Sequence, residues 1–100
     1  MTFPARRPNP VFSDEYRVLR ETVVEARRKA GFSQAELAAR LGKAKSHVAM
    51  IERGQRRIDS LELYRMAKCL SLEPRTLFGR IADGLDSLTG DGRTIQETAE

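Results

Sequence analysis

The chain reads as an all-α domain. Apolar residues recur at helical spacing in five segments, capping residues or glycines punctuate those segments, and no stretch alternates like a half-buried strand. Residues 1–13 hold Pro4, Pro8 and Pro10 with Arg6 and Arg7 and no periodicity, which reads as an extended basic arm that does not join the core. Ser13 or Asp14 caps a first helix whose Leu19, Val23, Ala26 and Ala30 share one face and which Gly31 ends. Ser33-Gln-Ala-Glu36 is a capping box that opens a second helix, with Leu37, Ala38 and Leu41 turned inward and Gly42 as its stop.

After the short turn Gly42-Lys43-Ala44, a third helix from Lys45 to Arg53 turns Val48 and Ile51 inward and stops at Gly54. Asp59-Ser-Leu-Glu62 is a second capping box. It opens a fourth helix with Leu63, Ala67 and Leu70 on one face, Leu61 and Tyr64 beside them, and an end near Leu70. Glu73-Pro74 starts a fifth helix through Leu77, Phe78 and Ile81, since proline is well suited to the first helical position. Asp83-Gly84 and Gly90-Asp-Gly92 are turn signals, and residues 93–100 are too polar to pack. The domain is therefore expected over residues 14–83, with residues 84–100 as a C-terminal extension. Leu77, Ile81, Leu85 and Leu88 form a helical stripe that reads either as a dimer seam or as plain closure of the core.

Composition narrows the function. One hundred residues with 40% hydrophobic and 32% charged side chains make one small domain, too apolar for a wholly disordered chain and too charged for a membrane span. The lone cysteine, Cys69, forms no internal disulfide and no zinc site, and no signal-like apolar run follows Met1-Thr-Phe-Pro-Ala-Arg-Arg-Pro. The expected compartment is thus the cytoplasm, at the nucleoid. No nucleophile–base arrangement, carboxylate pair or phosphate-cradling loop is visible, so neither an enzyme nor a cofactor is expected, and His47 lacks partners at metal-ligand spacing. The net charge of +4 is unevenly placed: residues 1–57 carry 13 basic and 6 acidic side chains, and residues 58–100 carry 5 and 8. The front half suits a polyanion.

A capped short helix, a tight glycine turn and a second short helix make a helix-turn-helix. Through Gly31-Phe-Ser-Gln-Ala-Glu-Leu-Ala-Ala-Arg-Leu-Gly42 and Ile51-Glu-Arg-Gly-Gln-Arg-Arg-Ile-Asp59, the sequence resembles the phage-repressor and Cro-like family of the xenobiotic-response-element type, over roughly residues 16–78. The resemblance implies a five-helix, lambda-repressor-like helix-turn-helix domain, flanked here by the N-terminal arm and a loose C-terminal tail. The domain would bind double-stranded DNA as a homodimer with its third helix in the major groove. It also implies that Lys45, Ser46 and Met50 face base edges, that Gln34 touches a phosphate, and that Lys43, His47 and Arg53 flank that surface. Arg27 and Glu52 match two positions that form a bracing ion pair. Two departures stand out: Lys43 takes a place where the family often has an apolar residue or threonine, and Ala44 one where it caps the third helix with serine or threonine. Loss of such a cap costs about 1 kcal/mol, so fraying of the third helix is expected.

Residue chemistry supports the same surface. The N-terminus of the second helix, where Gln34 sits, offers unpaired N–H groups and a partial positive charge to a phosphate. Lys45 can donate to guanine, Ser46 to several bases, and Met50 offers only apolar contact. Gln55, Arg56 and Arg57 follow Gly54 as a loop suited to grip the backbone. Solvated surface charge is the plainer reading of Lys45, Arg53, Arg56 and Arg57. The function expected is a sequence-specific transcriptional regulator, a repressor on an inverted repeat. The alternative is an antitoxin-like or adaptor protein whose acidic second half binds a protein partner.

Overall fold

The computed structural model describes residues 13–89 in five helices: α1 (Asp14–Lys29), α2 (Gln34–Leu41), α3 (Lys45–Glu52), α4 (Ser60–Cys69) and α5 (Pro74–Thr89). No strand occurs among the described residues. The arm, apart from Ser13, and the polar tail beyond Thr89 lie outside them.

The helix starts follow the local chemistry. Ser13 Oγ accepts from the Tyr16 amide at 3.0 Å and caps α1. At α2 the box is reciprocal: Ser33 Oγ accepts from the Glu36 amide at 3.0 Å, and the Ser33 amide donates to Glu36 Oε1 at 2.8 Å. At α4 only half of the expected box forms. Asp59 Oδ1 accepts from the Glu62 amide at 2.8 Å, while the Glu62 carboxylate turns away to His47. At α5, Glu73 Oε1 accepts from the Arg75 and Thr76 amides, and Pro74 takes the first position, where no N–H is needed. Gly42 (φ 72°) and Gly54 (φ 81°) hold the left-handed conformations that end α2 and α3.

All five helices contribute to one core. Val23, Leu37, Val48, Ile51, Met66, Ala67, Leu77 and Ile81 are fully enclosed. Helix α1 packs chiefly on α5, while α2 packs on α3 and α4. On α4 the inward stripe includes Met66, whereas Leu61 and Tyr64, expected beside it, stand 57% and 51% exposed.

The C-terminal segment departs from expectation at Gly84. Asp83-Gly84 is not a turn, because α5 continues unbroken to Thr89. A Cβ on Gly84 would come within 2.7 Å of Val18 Cγ1, so the missing side chain is what lets α5 close against α1. Of the two readings of Leu77, Ile81, Leu85 and Leu88, burial agrees with closure of the core: Leu77 and Ile81 are buried, Leu85 packs on the core, and of the four only Leu88 (40%) is exposed.

Gly84→Ala improves intrinsic helix propensity by about 1 kcal/mol. Overpacking against the stiff Val18 costs about 1–3 kcal/mol. A lower melting temperature is therefore expected, recovered in the Val18→Ala/Gly84→Ala double variant. The hydrogen bond from the Ser33 amide, then that from the Ser33 side chain, hold the Glu36 carboxyl below its ordinary 4.5, with Arg40 adding a smaller effect in the same direction. A depressed carboxyl stabilises the fold above its unfolded pKa and loses that contribution as pH falls through the folded one. Thermal melts between about pH 5 and pH 3 should show Glu36→Gln losing less stability than the parent.

Candidate nucleic-acid interface

Helix α3 has two unlike faces. Val48 and Ile51 lie on the inner face with no exposure. Ser46 and Arg53 are exposed and Met50 half-buried on the other, spaced four and three apart as one helical stripe, with exposed Lys45 beside it. Lys43, before α3, and Gln55, Arg56 and Arg57, after Gly54, are also exposed. Arg53 Nε donates to Gln55 Oε1 at 3.3 Å, joining the end of α3 to the following loop.

The inner end of α3 is locked by Glu52. Arg27 of α1 grips its carboxylate in a two-pronged pair, Nε to Oε2 at 2.6 Å and Nη2 to Oε1 at 2.9 Å. Both side chains are less than a tenth exposed. Gln34 Nε2 adds a third donor to Oε1 at 2.8 Å, and Arg27 Nη1 donates to the Phe32 carbonyl at 2.7 Å. The Gln34 side-chain amide, expected at a phosphate, is thus turned inward to Glu52. The α2 N-terminus that Gln34 occupies is unaffected by that turn.

Arg20 was not singled out by the sequence reading. Its Nη1 donates to the Glu52 carbonyl at 3.1 Å, and its guanidinium lies over Gly54, where an added Cβ would meet Arg20 Nε at 3.1 Å. Arg20 Nε itself is buried without a hydrogen-bond partner. The Ile58 amide donates to the Tyr16 hydroxyl and ties the loop after α3 to α1. Tyr16, Arg20 and Arg27 are four and seven residues apart on α1, a polar stripe at helical spacing that was visible in the sequence.

His47 also departs from the expected rim. Its Nε2 bonds Glu62 Oε2 of α4 at 2.6 Å, and the two side chains are 12% and 15% exposed. The two carboxylates nearest α3 in the hydrogen-bond network, Glu52 and Glu62, are therefore occupied from within. Lys43, Lys45, Arg53, Arg56 and Arg57 present cations on the outer side. An anionic duplex would meet them without an opposing acid from α3.

Removing one member of a buried pair strands the other charge at a cost of about 3 to 5 kcal/mol. Glu52→Ala should therefore lower the melting temperature steeply and abolish duplex binding with it. A melt unchanged from the parent would refute the bracing role.

The helix-turn-helix family model matches residues 23–77. Two solved structures are similar. One is an XRE-family like protein from Pseudomonas syringae pv. tomato str. DC3000, 35% identical, covering 69% of this chain and 84% of that one at a TM-score of 0.65. The other is the restriction-modification controller protein C.AhdI from Aeromonas hydrophila, 32% identical, covering 65% and 98% at a TM-score of 0.59. A search of curated proteins gives no match. No described helix is long and apolar enough to cross a membrane. With the matched span running from within α1 into α5 and enclosing the Glu52-braced α2–α3 unit, the chain belongs to the XRE-type helix-turn-helix family of DNA-binding transcriptional regulators.

Proposed function

We propose that this regulator is a repressor that binds an inverted-repeat operator as a homodimer, with α3 of each copy in the major groove. The observation that carries the reading is the division of α3: one face sealed in the core, the other bearing Lys45, Ser46, Met50 and Arg53 outward. In this arrangement Lys45 donates to guanine O6 or N7, Ser46 bonds a neighbouring base, and Met50 lies against a thymine methyl. Lys43, Arg53, Gln55, Arg56 and Arg57 hold the phosphates, and so does the α2 N-terminus at Gln34.

The homodimer is supported by exposed apolar side chains other than the stripe expected in α5. Leu61, Tyr64 and Phe78 are each more than half exposed on α4 and α5. Leu61 and Tyr64, three residues apart, share one face of α4, and neighbouring large apolar residues left exposed mark association surfaces. A two-fold pair would place two α3 helices on half-sites about 34 Å apart and double the contacts of one short helix.

Genome-wide mapping of bound sites tests the whole reading, which predicts an inverted repeat at promoters whose transcripts rise when the gene is deleted. Lys45→Ala should change the ranking among sites. Arg56→Ala should weaken all sites alike and reduce the salt slope by about 0.9. The reverse pattern would exchange their roles. Phe78→Asp should shift sedimentation toward the monomer and weaken operator binding while leaving the helical content of the folded chain unchanged at about 25 °C, with a melting temperature that no longer rises with protein concentration.

A further inference from the structure

Helix α3 is the helix of the reading unit with no side-chain cap: Ala44 holds the cap position and contributes no hydrogen bond, whereas Ser33 and Asp59 cap α2 and α4. Eight residues are too few to order themselves, and an uncapped first turn is where such a helix opens. Yet Lys45 and Ser46, the residues assigned to base edges, stand on that turn. At the far end of α3, Glu52 is held by Arg27 and Gln34. At the near end the described contact of comparable quality is His47 Nε2 to Glu62 Oε2 at 2.6 Å, largely shielded from water. Helix α3 packs on α2 and α1 much more than on α4. Among the described residues, the imidazole–carboxylate bond is thus the polar tie between the reading helix and α4.

Glu62 supports the same conclusion independently. As the third residue of an Asp59-capped helix it could complete a capping box, yet its carboxylate is directed across to α3 while only its amide serves the cap. The structure assigns to His47 and Glu62 the task of a clasp: a pair of positioning residues that stands in for the missing cap and sets Lys45 and Ser46 in register with the groove. The assignment rests on the major-groove reading above. The clasp governs discrimination between sequences rather than grip on the phosphates, because Arg53, Gln55, Arg56 and Arg57 lie beyond the other end of α3, and Lys43 stands outside the helix, in the turn after α2.

The experiment compares the full chain with Glu62→Ala, His47→Ala and Glu62→Gln, the last of which keeps an oxygen acceptor for the imidazole. Amide hydrogen exchange of the free proteins is read at His47, whose amide donates to the Ala44 carbonyl at 3.0 Å, and at Ala49. Binding is measured against duplexes recovered from a random-sequence library and against mixed genomic DNA. Both alanine variants should exchange these amides about tenfold faster and lose about tenfold in the ratio of selected to genomic affinity. Affinity for genomic DNA and its salt slope should hold, and Glu62→Gln should restore exchange and ratio alike. Parent-like exchange and ratio in Glu62→Ala would overturn the clasp. So would a uniform rise in exchange across all five helices, or a Glu62→Gln variant no better than alanine. A library that yields no selected duplex removes the major-groove reading and leaves the exchange data to decide the clasp alone.

Discussion

The carboxylate of Glu52 is the constraint on which the rest of this small domain depends. A carboxylate less than a tenth exposed is costly unless every strong acceptor position finds a donor, and here three N–H groups supply them. Arg27 comes from α1, Gln34 from the start of α2 and Glu52 from the end of α3, so one buried charge joins three helices. Arg27 spends its remaining Nη1 on the Phe32 carbonyl in the α1–α2 turn, and Arg20 covers the Glu52 carbonyl. The directionality of these bonds, more than their net energy, fixes how α2 crosses α3. A hydrophobic contact of equal size would tolerate rotation.

That constraint matters because α2 and α3 are eight residues each. Isolated helices of that length are not stable in water, so their order is borrowed from the core and from polar ties. With Val48 and Ile51 buried and both ends of α3 tied inward, the exposed Lys45 and Ser46 of the outer face take no part in the core. Their side chains are free to be selected for what they touch outside the molecule. The same logic explains why the neighbouring acids do not oppose a polyanion: each is already committed to a partner within the fold.

Helices α1 and α5 approach so closely that Gly84 faces Val18 without room for a Cβ. Leu77, Ile81 and Leu85 of α5, which look amphipathic in isolation, are consumed by packing on the core, and the apolar surface left over lies on Leu61, Tyr64, Phe78 and Leu88. Enclosure on one side and exposure on the other are two outcomes of one geometry, since turning Leu77 and Ile81 toward the core turns Phe78 away from it.

Much was legible in the residues. Helix starts follow from Ser13, Ser33, Asp59 and Glu73-Pro74, and the ends of α2 and α3 from Gly42 and Gly54, because these effects act within a few residues. The outward placement of Lys45, Ser46 and Arg53 follows from the inward spacing of Val48 and Ile51. Less legible were partners far apart in the chain: Arg20 with Glu52, Tyr16 with Ile58, His47 with Glu62. Gln34 at a helix start and His47 on the reading helix were assigned to the surface, because nothing local shows a carboxylate arriving from another helix. Gly84 read as a turn for the same reason, since the need for a bare Cα comes from α1. Local chemistry by itself determined the five helices and the face that α3 turns outward. Which polar groups remain free on that face, and which are held within, was decided only when α1, α2 and α4 came to rest against α3, because hydrogen bonds depend on position in space and not on distance along the chain.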